Sequence, residues 1–253
     1  MENNTTALVT PGDRASWHGT RANGYDAQRF TSAEGRFVER YEEEFMLDLL
    51  AQYDVCRVLD VPAGTGRLTV PFARRFEVVA ADVSNDMLAL ARRKAENRGV
   101  HVRFQQCDVA HLPFGDGTFD AVVTVRLFQH LPTAMAPDVI DELFRVVAPG
   151  GVLVVQFRSG YYGLLINIIR YCLIKRVDVR NRCLFPGQLP RFFRDRKIHA
   201  RFGYKFPASG RLARVFGYSI VRLANRLIGR IPLIRWFGGH LTVVLEKRGE
   251  LHK

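Results

Sequence analysis

Val58-Leu59-Asp60-Val61-Pro62-Ala63-Gly64-Thr65-Gly66 is a short β-rich apolar run that ends in an acid and opens into a glycine-rich turn. Sixteen residues beyond Gly66 a second apolar run, Phe76 to Ala81, ends in Asp82, and a third, His101 to Gln106, ends at Cys107-Asp108. Each of the three strand-like runs delivers a carboxylate at its carboxyl end. That is the edge at which an open α/β sheet binds ligands. One acid alone reads equally as a solvated strand end, whereas three in register point to a site. An adenosyl cofactor that is not anchored through phosphate suits such an edge.

The turn itself narrows the chemistry. Dinucleotide sites use G-x-G-x-x-G, and phosphate-binding loops close a glycine turn with Lys-Ser/Thr. Residues 64–70 have neither the third dinucleotide glycine at its offset nor the lysine. Gly64 and Gly66 allow backbone to approach a ligand with no Cβ in the way. Asp60 stands where it would repel a pyrophosphate and attract an amino or ammonium group. Asp82 follows Asp60 by 22 residues, near the roughly 20-residue offset at which an acid reaches ribose hydroxyls.

Asp60 to Gly66, Asp82, Asp108-Val109, Leu112-Pro113-Phe114 and Phe119-Asp120 together resemble the motif series of class I S-adenosylmethionine-dependent methyltransferases, in the flavour of the ubiquinone/menaquinone-biosynthesis methylases. The resemblance runs from about Tyr41 to Gln156, with a looser tail beyond. Pro62 stands where the family pattern usually carries Gly; it fixes φ near −65°, while Gly64 and Gly66 remain. The resemblance implies S-adenosyl-L-methionine as cofactor. It places Asp60 and the backbone of Ala63, Gly64 and Gly66 near the methionine end. It assigns Asp82, with Val83 beside it, to the ribose hydroxyls, and Asp108 with the Val109 backbone to adenine.

The rest of the chain agrees with an α/β protein. At 253 residues with 47% hydrophobic content it can bury a substantial core. Strands are expected at 56–60, 77–82, 101–106, 121–125 and 152–157, a further one at 198–202, and a closing one at 241–245. Helices are expected at 35–53, where Phe37, Tyr41, Phe45 and Leu49 recur at steps of four, at 67–75 across Pro71, at 84–97 behind the cap Ser84-Asn85-Asp86, and at 136–147 before Pro149-Gly150-Gly151. Strands alternating with helices predict a doubly wound, mainly parallel sheet. With the resemblance, the expectation is a seven-stranded Rossmann-like sheet with helical C-terminal insertions. The expected organisation is an N-terminal arm (1–34) and a methyltransferase domain (35–253). That domain comprises a core (54–157), a basic elaboration (158–239) and a closing strand (240–247). The four cysteines have no C-x-x-C pair or zinc spacing, so no metal is expected, and Cys56 and Cys107 in strand-like runs read as buried thiols. The N-terminus lacks the basic and apolar regions of a signal peptide, which points to the cytoplasm.

Charge is divided unevenly. Residues 1–157 hold 16 Lys/Arg against 21 Asp/Glu, net −5, and residues 158–253 hold 21 against 4, net +17. The basic part asks for an acidic partner: a membrane surface, an acidic substrate or nucleic acid. Tyr161 to Ile174 is apolar but shorter than the ~20 residues that span a bilayer. Within 209–237, Leu212, Val215, Phe216, Ile220, Leu223 and Leu227 fall on one approximate helical face, with Arg211, Arg214, Arg222, Arg226 and Arg230 over much of the rest. This composition suits a helix lying in a membrane interface, so a peripheral position on the inner face of a membrane is one expectation. The alternative is a lid whose apolar face packs on its own domain while its arginines are solvated.

Methyl transfer asks a protein mainly to align the acceptor and exclude water. His130, in Arg126-Leu127-Phe128-Gln129-His130 after the fourth strand, is the candidate general base for a phenol or enol proton. Its alternative is a structural histidine bonded to backbone. Arg126 is a candidate for the cofactor carboxylate or an acidic substrate. Tyr25 resembles the N-terminal Tyr that folds over the cofactor in related enzymes, or is a surface aromatic on the arm. The reading is a methyltransferase for a small, amphiphilic or lipid-like acceptor. An RNA methyltransferase is a rival that uses the basic part for phosphates. Against it, Thr124-Val125-Arg126-Leu127 is not an Asn/Asp-Pro-Pro-Tyr/Phe acceptor motif, and the basic face carries aliphatics in place of stacking aromatics. A non-catalytic membrane-surface protein that keeps the fold is the other rival, opposed by the intact acid series.

Overall fold

Near-continuous apolar runs build the central strands of a sheet buried on both faces. The computed structural model describes residues 32–159, 189–194, 196–204, 209–231, 234 and 239–248. Tyr25, the stretch Tyr161–Ile174, Cys172 and Cys183 lie outside these residues. The strands are β1 (Arg57–Asp60), β2 (Glu77–Asp82), β3 (Arg103–Gln106), β4 (Phe119–Val125), β5 (Val147–Arg158), β6 (Ile198–Tyr204) and β7 (His240–Glu246). They lie in one sheet in the order β3-β2-β1-β4-β5-β7-β6. Strands β1 to β5 pair in parallel, and β7 is antiparallel to both β5 and β6. The order reverses between β1 and β4, the switch point at which such sheets bind ligands.

Successive residues of the central strands feed opposite faces. Leu59, Val79, Val122, Leu153 and Val155 join a core with Val139, Ile140 and Leu143 of helix α4 (Ala136–Arg145). Val58, Val78, Val123 and Val154 join a second core with Met46, Leu49 and Leu50 of helix α1 (Ala33–Leu50). Helix α1 begins where the Ser32 side chain accepts from Gly35 N at 2.9 Å. Helix α2 (Thr69–Phe72) is one short turn, much less than the expected 67–75; Pro71 has no N–H to give Arg67 O, so the helix cannot start that early. Helix α3 (Asn85–Asn97) starts as the sequence suggests, with Ser84 Oγ accepting from Met87 N, and ends at Gly99 in the left-handed region.

Several boundaries differ from expectation. Strand β3 starts at Arg103, not 101, and as an edge strand it is largely exposed. Strand β5 starts at Val147, before Pro149-Gly150-Gly151, because the register against β4 jumps from Phe119↔Val147 to Ala121↔Val152 and these residues form the bulge. Gly150 N donates to Lys247 O at 2.7 Å, and a Cβ at Gly151 would lie 2.5 Å from Asp120 O, so the bulge seats directly on β4. The C-terminal amphipathic stretch is not one helix but two, α6 (Ser209–Phe216) and α7 (Tyr218–Ile228), broken at Gly217 with φ 83°. The short helix α5 (Leu189–Phe193) places Phe192 and Phe193 edge-on against Phe157. No helix among the described residues is long and apolar enough to cross a membrane.

Cys56 is exposed, against the expectation of a buried thiol, because it precedes β1. The Asp120 carboxylate accepts from Cys56 N and Arg57 N at 2.9 and 2.7 Å. This acid therefore fixes the entry of β1, at the opposite end of the sheet from the other three. Leu112-Pro113-Phe114 is clamped to α4: Glu142 accepts from Leu112 N, and Arg145 donates to the carbonyls of Leu112 and Phe114. Hydrogen bonds from Arg145 and from Leu112 N hold the Glu142 carboxyl below its usual range.

Candidate active site at the carboxyl edge

The turn after β1 folds back onto β2. Ala63 N donates to Ala81 O at 2.8 Å, and Gly66 N to Ala63 O at 3.0 Å. Gly64, at φ 53°, lines a cavity of about 190 Å³ at the carboxyl edge. A Cβ there would meet nothing within 4 Å, so the turn presents bare backbone to open space. Gly66 does not line this cavity. Its glycine is required for packing: φ is 77°, and a Cβ would lie 2.9 Å from Cα of Ala91 in α3. The Val61–Pro62 peptide is cis.

Three carboxylates converge on the cavity, as do the other candidates Ala63, Val83, Val109, Arg126 and His130. Asp60 ends β1 and is 2% exposed. Its carboxylate accepts from Thr69 Oγ1 at 2.5 Å. Burial pushes the Asp60 carboxyl up to about 7, against the pull of the Thr69 hydroxyl and the Arg67 charge and aided by Asp82. Asp82 ends β2, with one oxygen accepting from Gly64 N at 2.8 Å and the other from Ser84 N at 2.9 Å. The glycine turn and the second acid are thus bonded to each other. Asp108 lies two residues past β3 and accepts from Ala110 N at 3.0 Å, an Asx turn that directs the following backbone. Cys107 also lines the cavity. Burial and then the charges of Asp108 and Asp82 push its thiol up to about 11, so it is a neutral wall group, not a nucleophile.

After β4 the backbone turns sharply at Arg126, whose φ of 63° is rare for a side chain of this size. Such strain persists only where the surroundings enforce it. The Arg126 side chain is held by Glu42 of α1, fully buried, which accepts from Arg126 at 3.1 Å and from Gln156 Nε2 at 2.7 Å and also pairs with Arg67. Arg67 comes from the glycine turn and Arg126 from the loop after β4, and both line the cavity. Glu42, Arg67 and Gln156 were not among the sequence candidates. Glu42 stands four residues from both Val38 and Met46, so an acid interrupting an apolar stripe was the available signal.

His130 is exposed at the cavity rim. Its Nε2 lies 2.9 Å from the Gln129 side-chain nitrogen. An amide nitrogen only donates, so Nε2 is the acceptor of this pair. The His130 backbone N donates to Leu127 O.

The chain was compared with known proteins. Residues 58–151 match a family model described as a methyltransferase domain. The demethylmenaquinone methyltransferase of Thermus thermophilus is 46% identical over 129 residues, 48% of this chain and 58% of that protein. The ubiquinone/menaquinone biosynthesis C-methyltransferase of Idiomarina loihiensis is 36% identical over 127 residues, 47% of this chain and 50% of that protein. The chain therefore spans about half the length of the curated relatives it matches. Among solved structures, magnesium protoporphyrin IX methyltransferase from Synechocystis PCC 6803 with bound S-adenosylhomocysteine superposes with a TM-score of 0.62. It shares 16% identity, over 93% of this chain and 99% of that one, a likeness of fold. Residues 58–151 thus resemble a methyltransferase domain, the sheet has a fold seen in a methyltransferase of known structure, and the chain is similar to the demethylmenaquinone and ubiquinone/menaquinone methyltransferases.

Proposed function

We propose that the chain is an S-adenosylmethionine-dependent methyltransferase acting on a small, amphiphilic, quinone-like acceptor. The observation that carries the reading is the convergence of Asp60, Asp82 and Asp108 on one cavity whose wall at Gly64 is bare backbone. That donor set fits the cofactor: carboxylates for ribose hydroxyls, an amino group and adenine, and no lysine for phosphate. When bound, the cofactor supplies a methyl group already activated on a sulfonium. The chain's own residues then hold, orient and exclude water. Asp82, aligned by Gly64 and Ser84, takes the ribose hydroxyls. Asp108 and the Val109 backbone read adenine. Asp60 and the turn face the methionine end, and Arg126, steadied by Glu42, stands ready for its carboxylate. Buried Leu127 and Leu131 give the cavity an apolar wall suited to a quinone-like ring. His130 at the rim takes the acceptor's acidic proton at a ring nitrogen.

The test couples calorimetry with product analysis. The wild type binds S-adenosylmethionine and transfers label from it to a quinone-type product in cell lipid extract. Asp82→Ala weakens binding by ~10-fold or more, since each charge-assisted bond is worth about 1.5–3 kcal/mol. His130→Ala leaves binding near wild type and lowers turnover about 10²-fold. Equal binding by wild type and Asp82→Ala, or label appearing in RNA and not in lipid, overturns the reading.

A further inference from the structure

Helices α6 and α7 sit on α1 through a mixed seam of ion pairs, hydrogen bonds and one small apolar cluster. Gly210 N donates to the Glu34 carboxylate at 2.7 Å, and a Cβ on Gly210 would fall 2.4 Å from Glu34 Cα, so the start of α6 is pressed against α1. Arg222 pairs with Glu44 at 2.8 Å and Asp48 at 2.9 Å, Arg226 pairs with Asp48 at 3.2 Å, and Tyr218 OH donates to Glu44. Ser209 and Asn225 bond to each other in the buried seam, and Val221 packs with Phe37, Val38 and Tyr41. A lid packed on its own domain turns the long aliphatic side chains of such helices inward.

The consequence is an exposed apolar ridge. Leu212, Val215, Phe216, Ile220, Leu223 and Leu227 are all exposed, Val215 by 74% and Ile220 by 65%. On α7, Ile220, Leu223 and Leu227 are spaced at i, i+3 and i+7, on the side opposite the buried Val221 and Asn225. A contiguous apolar patch of this kind marks an interaction site. Charge selects its occupant. Residues 209–231 hold five arginines and no acidic residue, and Arg211, Arg214 and Arg230 are exposed beside the ridge. A second copy would bring the same charge to the same face, which opposes self-association there. A bilayer with anionic headgroups accepts both features, and needs no complementary shape: aliphatics enter the acyl boundary and arginines stay at the headgroups.

We propose that the outer face of α6 and α7 is a membrane-docking surface on which the protein rests peripherally against an anionic bilayer. The two helices lie in the plane of the interface, and α1 is the keel that holds them. Exposure and charge alone define this surface, which does not depend on the identity of the methyl acceptor.

The test uses the full chain and vesicles of phosphatidylglycerol mixed with phosphatidylcholine, against phosphatidylcholine alone. The protein co-sediments with the anionic vesicles at low salt and poorly with the neutral ones. Binding falls as salt shortens the Debye length from ~10 Å at 0.1 M to ~3 Å at 1 M. Leu223→Glu lowers the partition coefficient at least ~10-fold, and Arg214→Glu with Arg230→Glu lowers both the partition and its salt dependence. Because these positions are exposed, melting temperature and S-adenosylmethionine affinity stay near wild type, which separates loss of docking from loss of fold or of methyl transfer. Failure to bind anionic vesicles at low salt overturns the proposal. So does equal binding by Leu223→Glu, or a dimer in sedimentation velocity that Leu223→Glu abolishes.

Discussion

Asp60 holds a carboxyl group in a place that penalises its charge. Burial pushes it up to about 7, from an ordinary value near 3.8, with only the Thr69 hydroxyl and the Arg67 charge working the other way. A positively charged ligand beside it reverses the preference, so binding such a ligand near neutral pH releases a proton. Affinity for S-adenosylmethionine then rises as pH increases from about 6 to 8. Calorimetry in buffers of different ionisation enthalpy would register the proton release. The same shift has the opposite sign for stability. The folded state holds the Asp60 proton more tightly than the unfolded state, so stability from this group is fully present below about 3.8 and is lost as pH rises toward 7. The window spans roughly 3 units, up to about 4 kcal/mol. Asp60→Asn should therefore raise the melting temperature at pH 8 relative to wild type while weakening cofactor binding. A variant less stable at pH 8 would mean that the Asp60 charge is well compensated and the acid is structural. Asp60 was legible as a site residue from its place after an apolar run. Its near-neutral character was not, because that depends on Phe72, Val123 and other walls that only the fold assembles around β1.

At the scale of elements, α1 ties the site together. One side carries Glu42 into the seam between the glycine turn and the loop after β4. The other carries Glu34, Glu44 and Asp48 to α6 and α7. The apolar steps Phe37, Tyr41, Phe45 and Leu49 reveal the helix from sequence. The run Glu42-Glu43-Glu44 looks like a solvated face, and only the tertiary structure shows that its first member is fully buried. Arg67 and Arg126 are 25 and 84 residues away along the chain, so no local pattern pairs them with it. The strand ends were readable because apolar runs and the acids that close them are local. The network was not, because four separate parts of the chain meet at it: α1, the glycine turn, the loop after β4 and Gln156 of β5. Glu42→Ala leaves two guanidinium groups, 12% and 13% exposed, without their common carboxylate. Removing one partner of a buried pair costs about 3–5 kcal/mol. Urea unfolding should show a loss of that order, and Arg126→Ala added to Glu42→Ala should recover part of it. Additive losses in the double variant would show that the two residues do not share an interaction.

For the whole molecule, the uneven charge visible in the sequence becomes a contact between two parts. The acidic N-terminal portion meets the basic C-terminal portion where α1 carries α6 and α7, and the charge split was legible long before the contact. The orientation was not. An amphipathic stretch with interleaved arginines fits a lid or an interface helix equally, and the decision lies in acids near residues 34–48, over 160 residues earlier in the chain. It follows that Arg222 and Arg226, although part of the basic face, are attachment residues for α7, not the groups left to meet an external partner. Their pairs with Glu44 and Asp48 are a third or more exposed on the arginine side, so each is worth ~0.5–1 kcal/mol after screening. Arg222→Ala with Arg226→Ala should release the two helices from α1 without unfolding the sheet. Amide hydrogen exchange in α6 and α7 should accelerate about 10-fold, the equivalent of ~1.4 kcal/mol, while amides of β1 and β4 keep their wild-type rates. Raising salt in the wild type should move exchange in the same direction. Equal acceleration in β1 and β4 would show instead that the helices and the sheet open as one cooperative unit.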